Sequence, residues 1–502
     1  MLKGQQEMKP LSELKGYKLT NSIKLNYIPV DIQAGESGRD EIPMGVLGLH
    51  YDFTLNKNFY AGVGMFAAVE SDQGGLFTLG AEIGFQQQII GNLYLDTDFH
   101  FGGGGGYRYL VKDGAYINYN FGLKYKTDKA SIGLQYSYFN FYNGFVESTS
   151  FSAFATIPTS LIFTDYVNAN KTYRPEASEE IYFWNRPANK NGLTLRFDHF
   201  LPTGETKDQY GNPLTNTLYL MGFEYDQYLT NKTFSYIQLD AIYKGLESGF
   251  MDLFLGIGYE PVQTKNFKMF AKFGAGASGG RVEREGGFTV HPSLGIEHKL
   301  YKNISLELHG GYIMAPFGNF EAYTLGYGIK YDTYSSGIKH KELSENVVAQ
   351  TKGIRLSLQN QTYFQAASTQ VKPYDLQMIV VQINRDLSKH FYITGQAAFT
   401  YEGEAGGYAD GMVGFGYYTP KVLYEKIEFN IEALVGVAGG ARIDTGAGIA
   451  VKPKIGMNYI LNQNFHITSS IGKMIAPYGN LNSTLFGIGF SYNIAKLNVK
   501  NR

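Results

Sequence analysis

The hydrophobic pattern of this chain repeats every two residues, and this period constrains the fold more than any other feature of the sequence. Residues 92–101 read NLYLDTDFHF, residues 267–273 read FKMFAKF and residues 426–435 read KIEFNIEALV. Apolar side chains alternate in them with Asp, His, Lys or Glu. Because successive side chains of a β-strand point to opposite faces, the pattern predicts strands with one apolar and one polar face. Helical periodicity of comparable length is found only in short linker pieces.

These three segments occupy equivalent places in three diverged copies of one unit. We place the copies at 18–158, 191–332 and 352–493. The second halves of copies two and three match best, for example APFGN at 315–319 and APYGN at 476–480. Such self-similarity indicates a repeated structural unit. Each copy divides into about eight strands, predicted in the first copy at 21–33, 42–54, 59–70, 75–87, 92–104, 115–126, 130–142 and 147–157.

Four segments lie outside the copies. Residues 1–17 form an N-terminal extension, 159–190 and 333–351 are linkers, and 494–502 form a C-terminal tail. The first linker contains the only tryptophan, Trp184. We interpret this linker as an ordered connector, with a plug that folds back as the alternative. The polar second linker predicts a short helix.

The connections between strands differ in length at the two ends of the predicted sheet. Tight Asn- and Lys-rich turns (LNKN, LTNK and LSKH, beginning at 55, 229 and 387) alternate with longer loops (AGESGRD, TGETKDQYGN and EGEAGGYADG, at 34–40, 203–212 and 402–411). Short turns on one rim and long loops on the other are typical of outer-membrane barrels, whose short turns are periplasmic. The fold class predicted is therefore all-β, a transmembrane up-and-down antiparallel β-barrel. A soluble propeller or set of small barrels is not expected to keep this asymmetry through three copies.

The closure of the strands stays open on sequence alone. We favour one large barrel of about 24 strands over three eight-stranded barrels in tandem or an intermediate arrangement. Like charges inside a narrow barrel are costly without counter-charges, and this cost favours one wide lumen. The predicted lumen-facing residues are acidic or basic according to the copy: Asp96, Asp98 and His100 in the first, Lys268 and Lys272 in the second, and Glu428 and Glu432 in the third.

Composition excludes several classes of partner and site. The 44 Lys and Arg balance the 45 Asp and Glu, so no basic field would attract nucleic acid. The absence of cysteine excludes thiol catalysis, disulfides and Cys-ligated zinc or iron–sulfur sites. We predict no cofactor and no metal site. The expected partners are the outer-membrane lipid bilayer and lipopolysaccharide, and other envelope proteins as a further possibility.

Residues 1–17 lack the apolar core of a signal peptide. For a protein of the Gram-negative outer membrane we therefore expect an export signal that is absent from the numbered sequence.

Glycine runs and arginines recur at the predicted outer rim. The runs at 102–106 and 274–280 are followed by strands, whereas a phosphate loop needs a helix, so we interpret them as barrel bends. The rim candidates that follow such runs are Arg108, Arg281, Arg284 and Arg442. We expect them to form loop-anchoring salt bridges with nearby acids, rather than a constriction or a site for lipid phosphates.

One cluster suggests hydrolase chemistry: His291, Ser293, Glu307 and His309 lie on adjacent predicted strands. The segment HGGYIMAPFGNFEAYTLGYGIKY (309–331) resembles the C-terminal part of the outer-membrane lipid A 3-O-deacylases. That resemblance implies an eight-stranded barrel with a His-x-Ser pair facing the lipid. Here Gly311 stands where the nucleophilic serine would be. We therefore predict no catalytic residue and no enzyme.

Over most of its length the chain resembles the OmpA- and OmpW-like barrels of Gram-negative envelopes, in hairpin rhythm and in strands ending with aromatics such as LFGIGFSY (485–492). The resemblance implies eight-strand units in the outer membrane. We predict a passive, porin-like channel or a structural envelope protein. The alternatives are an accessory subunit of an outer-membrane secretion or surface complex and, third, a lipid A-modifying hydrolase.

Overall fold

The computed structural model describes residues 8–33, 42–176, 182–283, 287–339, 347–369 and 372–501. Strands dominate this part of the chain, and no helix in it is long and apolar enough to cross a membrane. The chain starts with β1 (Lys9–Pro10) and a 3-10 turn (Leu11–Glu13). A second 3-10 turn (Tyr166–Asn168) and β10 (Thr172–Arg174) follow the first repeat.

Each repeat contributes eight long strands. The first comprises β2 (Tyr17–Val30), β3 (Met44–Thr54), β4 (Phe59–Glu70), β5 (Phe77–Ile90), β6 (Leu93–Gly105), the helical turn α1 (Arg108–Val111), β7 (Tyr116–Lys126), β8 (Ser131–Phe141) and β9 (Glu147–Asp165). The second comprises β11 (Asn189–Pro202), β12 (Leu218–Tyr228), β13 (Thr233–Lys244), β14 (Met251–Gln263), β15 (Phe267–Gly279), β16 (Phe288–Tyr301), β17 (Ile304–Met314) and β18 (Glu321–Ser335). The third comprises β19 (Val347–Ala366), β20 (Tyr374–Asp386), β21 (Phe391–Glu402), β22 (Ala409–Tyr418), β23 (Ile427–Gly439), β24 (Ile449–Ile460), β25 (Phe465–Ile475) and β26 (Asn482–Asn501).

The first and last strands of each repeat pair with each other. These antiparallel pairings join β2 to β9, β11 to β18, and β19 to β26. The result is three eight-stranded closures, which we call barrels 1, 2 and 3. The favoured prediction of one shared wall of about 24 strands is therefore wrong, and the tandem alternative describes the pairing. Like charges on one strand do not require a shared lumen, because each barrel supplies its own counter-charges from other strands.

The interior of each barrel has two halves. At the long-loop end, apolar clusters fill the space, with Phe66 and Phe139 in barrel 1, Phe200 and Phe254 in barrel 2, and Tyr363 and Met378 in barrel 3. Nearer the short turns, the inward positions carry polar and charged side chains. Period-two alternation explains both halves, because every second side chain points inward.

The three barrels meet along a common apolar seam, which contains Phe77 and Leu79 of barrel 1, Leu253 and Ala277 of barrel 2, and Ile379 and Phe399 of barrel 3. The glycine runs lie at these contacts. A Cβ on Gly103 would stand 2.5 Å from the Thr400 carbonyl oxygen of barrel 3, and one on Gly279 would stand 2.4 Å from the Gly75 nitrogen of barrel 1. The runs therefore lie where the backbones of neighbouring barrels approach closely. This role is additional to the barrel bends that the sequence predicted.

The outward faces away from the seam expose large apolar side chains. Representative fractions are 69% for Leu134, 69% for Leu294, 60% for Leu325 and 58% for Ile471. Large exposed apolar surfaces mark sites of contact with a membrane or with another protein.

Linkers and terminal segments tie the barrels together at the short-turn end. The Trp184 indole is fully buried there and donates a hydrogen bond to the Leu14 carbonyl oxygen at 2.7 Å. Strand β10 pairs with β1 and with β19, and the ends of β18 and β9 pair with β26.

Both predicted linkers are shortened by strands that continue beyond the barrels. The second linker includes the end of β18 and the start of β19 instead of the predicted helix, and residues 340–346 lie outside the described part. Residues 494–501, predicted as a tail, continue β26 because they pair with β19.

Candidate functional site

The lumen of barrel 1 holds the three residues predicted to face it. Asp96, Asp98 and His100 are at most 5% exposed. Lys24 lies on β2 with its Nζ 2.5 Å from Asp98, and Lys124 on β7 pairs with Asp96. Each acidic residue therefore has a lysine partner from another strand.

Barrel 2 contains the densest ionic network. Lys272 pairs with Glu224, and its Nζ lies 3.8 Å from Glu307. Arg196 donates to Glu224 at 2.7 Å. Lys268, nearer the short turns, lies 2.8 Å from Glu297.

At the predicted positions barrel 3 carries glutamates, whereas barrel 2 carries lysines. Glu428 is paired with Arg355, and Glu432 lies 2.9 Å from the Lys454 Nζ. A third pair joins Lys452 to Asp410 at 2.7 Å. The seven predicted lumen residues all face barrel interiors, although in three lumens instead of one.

The counter-ions are the residues that sequence reasoning missed. Lys24, Arg196 and Arg355 lie on the polar face of the first strand of each repeat. Alternation could have identified them as inward, but which acid each one meets depends on the closure.

The polar half of the barrel 3 lumen has little free space in the cavity beside its ion pairs. The half of the barrel 3 lumen nearer the short turns contains a cavity of about 20 Å³, lined by Arg355, Glu432 and Lys454 among others. A space of this size accommodates about one water molecule. This cavity of barrel 3 lies among paired ions and has no room for a solute larger than water.

The hydrolase constellation is also inside barrel 2. His291, Ser293 and Glu307 are all buried in its lumen, and His309 lies 2.5 Å from Asp198. His291 contacts the Thr324 hydroxyl at 2.9 Å. Among the described residues, no hydrogen bond joins His291 to Ser293 or Glu307. The histidines therefore face away from the lipid, unlike the pair that the deacylase resemblance implies.

Two of the predicted rim arginines, Arg281 and Arg442, line a central cleft at the long-loop end. This cleft has a volume of about 1000 Å³, and all three barrels line it. Arg281 donates through Nε to the Ser248 carbonyl oxygen at 3.0 Å, and its Nη2 lies 3.2 Å from Glu247. Arg442 also lines the cleft. Arg108 begins α1, and Arg284 lies outside the described residues.

No family model matches the sequence, and no curated protein matches it. Among solved structures, a ferric enterobactin receptor (PfeA) mutant from Pseudomonas aeruginosa is similar at 9% identity, with a TM-score of 0.27 over 94% of this chain and 80% of that chain. The siderophore receptor PirA from Acinetobacter baumannii has 8% identity and a TM-score of 0.27 over 96% and 81%. OpdQ from Pseudomonas aeruginosa has 8% identity and a TM-score of 0.19 over 95% and 98%. Scores this low bear on neither closure nor function, so the barrel assignment rests on the strand pairings above.

Proposed function

We propose that this chain is a structural protein of the Gram-negative outer membrane whose three barrels do not conduct solutes. The filled interiors carry the proposal. A solute entering barrel 1 would have to displace the cluster around Phe66 and Phe139 and then separate the Lys24–Asp98 pair. Breaking one buried ion pair costs about 3–5 kcal/mol, which opposes passive flow.

The exposed apolar faces support placement in a bilayer. Strands β7, β8, β17, β18 and β25 carry such side chains, for example Phe121, Leu134, Leu308, Leu325 and Ile471. Closed barrels leave no unpaired strand edge in lipid, which is a requirement for a membrane-spanning sheet. Short turns would then be periplasmic and the central cleft would face outward, where lipopolysaccharide is the neighbouring lipid.

Conductance in planar bilayers tests this function. Purified full-length protein is expected to insert without current steps, while a general porin in the same bilayer produces them. Regular steps that scale with protein concentration would reject the structural proposal in favour of the passive channel.

The central cleft favours a second candidate, an accessory subunit of a surface complex. Three repeats shape one cavity of about 1000 Å³ at the long-loop end, and Tyr210 is 75% exposed there. A photo-crosslinking amino acid at 210 should give a defined protein adduct in intact cells. The same probe at Phe151, which is 80% exposed, is the matched control and should not. Identical patterns from both positions would exclude this candidate.

A further inference from the structure

Two histidines and a glutamate converge in the middle of barrel 1. His50, Glu82 and His100 are at most 3% exposed. The His50 Nδ1 lies 2.6 Å from Glu82 Oε2, and the His100 Nδ1 lies 3.8 Å from the same oxygen. One ligand atom of each residue lies within 4.8 Å of the other two. Around one tetrahedral ion with metal–ligand bonds of about 2.0–2.2 Å the ligand atoms lie roughly 3.3–3.6 Å apart, so binding an ion requires His50 Nδ1 and Glu82 Oε2 to separate by about 1 Å.

The other nitrogen of each imidazole is already engaged. His50 Nε2 lies 3.2 Å from Asn26 Oδ1, and His100 Nε2 lies 2.8 Å from the Tyr116 hydroxyl. With Asn26 Oδ1 as acceptor, the neutral tautomer of His50 that carries its proton on Nε2 has a lone pair on Nδ1. That lone pair faces a carboxylate oxygen, an arrangement that a cation between them would stabilise. Such outer partners commonly orient metal-binding histidines.

The matching positions of the other barrels lack this set. Glu82 pairs in register with His100 on strands β5 and β6. The corresponding pairs are Gly256 with Gly274 in barrel 2 and Gly414 with Leu434 in barrel 3. The eight-stranded unit therefore closes without a carboxylate and a second imidazole at this level.

Glycines in the backbone around the cluster leave space for the two imidazole rings. Gly62 lies opposite Glu82. A Cβ on Gly64 would stand 2.2 Å from His50 Nδ1, and one on Gly80 would stand 2.3 Å from His100 Nε2. Larger residues at these glycines would take the volume that the imidazoles occupy.

We propose that His50, Glu82 and His100 bind one divalent transition-metal ion of the zinc type. Two imidazole nitrogens and one carboxylate oxygen suit Zn²⁺ and its neighbours better than Mg²⁺ or Ca²⁺, which prefer oxygen ligands. Lys24 lies 3.4 Å from the other oxygen, Glu82 Oε1, and so leaves Oε2 for the ion. The site is enclosed, so its role is to stabilise barrel 1. The sequence did not suggest this metal site, because the three ligands lie on three different strands.

Metal binding to the full-length protein tests the proposal. Tag-free protein folded in detergent should retain about one equivalent of Zn²⁺, and Co²⁺ in its place should give visible d–d absorption. His100→Gln and Glu82→Gln should each weaken Zn²⁺ binding by more than the roughly 10–100-fold typical of losing an outer partner. His466→Gln is the matched control, because His466 is a buried histidine of barrel 3 without this cluster.

Two further variants keep all three ligands. Tyr116→Phe and Asn26→Ala should weaken Zn²⁺ binding by about 10–100-fold and reduce the Zn²⁺-dependent rise in melting temperature. Heat-modifiable migration on gels monitors folding of every variant. Folded wild-type protein that retains no Zn²⁺ would overturn the proposal and identify a proton-bridged His–Glu pair. Equal loss in His466→Gln would overturn it as well.

Discussion

Barrels 1 and 2 have the same strand register but fill the same interior level from different strands. In barrel 1, Glu82 projects from β5 opposite Gly62 on β4. In barrel 2 the large residue is Tyr236 on β13, and it lies opposite Gly256 on β14. The eight-strand unit therefore fixes the volume of each interior level but not the strand that fills it. Chemistry can therefore differ between copies while the backbone stays the same.

The two barrels also differ in how charge is balanced. In barrel 1, Lys24 contacts Asp98 and Glu82, and Lys124 pairs with Asp96. In barrel 2, Arg196 is shared by several groups: it contacts Asp198, Glu224 and His309 at 3.1, 2.7 and 2.8 Å. Arg196 holds three groups whereas Lys24 holds two, so barrel 2 is the more sensitive to one substitution.

The largest expected effect therefore comes from Arg196→Met. Removing the guanidinium leaves Asp198 buried without its main counter-charge and Glu224 with Lys272 alone, which costs about 3–5 kcal/mol of unfolding free energy. Urea denaturation in detergent, followed by circular dichroism, measures the change.

The matched control for this variant is Lys207→Met. Lys207 lies 3.8 Å from Glu283 in a half-exposed pair, and removing it should cost about 0–1 kcal/mol. Similar losses in both variants would show that the barrel 2 network contributes no more than a surface pair.

Gly256→Ala tests the exchange of volume between strands. Its Cβ would stand 2.4 Å from the Tyr236 ring, an overlap expected to cost about 1–3 kcal/mol of unfolding free energy. In a Tyr236→Ala background the cost should shrink, although the Phe273 carbonyl oxygen at 2.5 Å still resists the methyl group. A double-mutant cycle measures the coupling.

Gly395→Ala is the control for Gly256→Ala. No atom lies within 4 Å of its added Cβ, so the change should be neutral or slightly stabilising. Additive effects at positions 236 and 256 would contradict the shared-volume interpretation.

Much of the strand layout follows from sequence. The predicted strands of the first copy agree with the observed ones to within four residues, except that β9 extends to Asp165 instead of 157. Period two is a local signal, since each side chain's face is set by its own backbone. The inward direction of Asp96, Lys272 and Glu432 was predictable for the same reason.

Closure and pairing were not predictable because they depend on contacts distant in sequence. Like charges on one strand suggested a wide lumen, but Lys24 reaches Asp98 across 74 positions of sequence. The cluster of His50, Glu82 and His100 escaped notice for the same reason, since its members lie on β3, β5 and β6. Knowledge of which strands are neighbours is needed before such sites can be recognised.

The first linker covers the short-turn end of barrel 3 and contacts it through Tyr166. Its hydroxyl accepts from Arg355 Nε at 2.9 Å and donates to Asp386 at 3.1 Å. Burial raises the pKa of Tyr166, so the hydroxyl remains a donor across neutral pH. Tyr166→Phe should lower the free energy of unfolding by about 1–2 kcal/mol, measured in urea. An unchanged midpoint would show that the linker touches barrel 3 without stabilising it.

The smallest effect is expected at the rim, because the ion pair there is exposed to solvent, whereas the ion pairs of the lumens are buried. Glu247 is half exposed and meets Arg281 at 3.2 Å, so solvent screens the pair. Glu247→Gln should change the unfolding free energy by less than about 1 kcal/mol, and added salt should abolish the difference. Arg281 keeps its hydrogen bond to the Ser248 carbonyl oxygen in that variant, so the loop should stay in place. A loss comparable to that of Arg196→Met would mean that the central cleft is held by charge as firmly as the barrel interiors are, and the contrast between rim and lumen would fail.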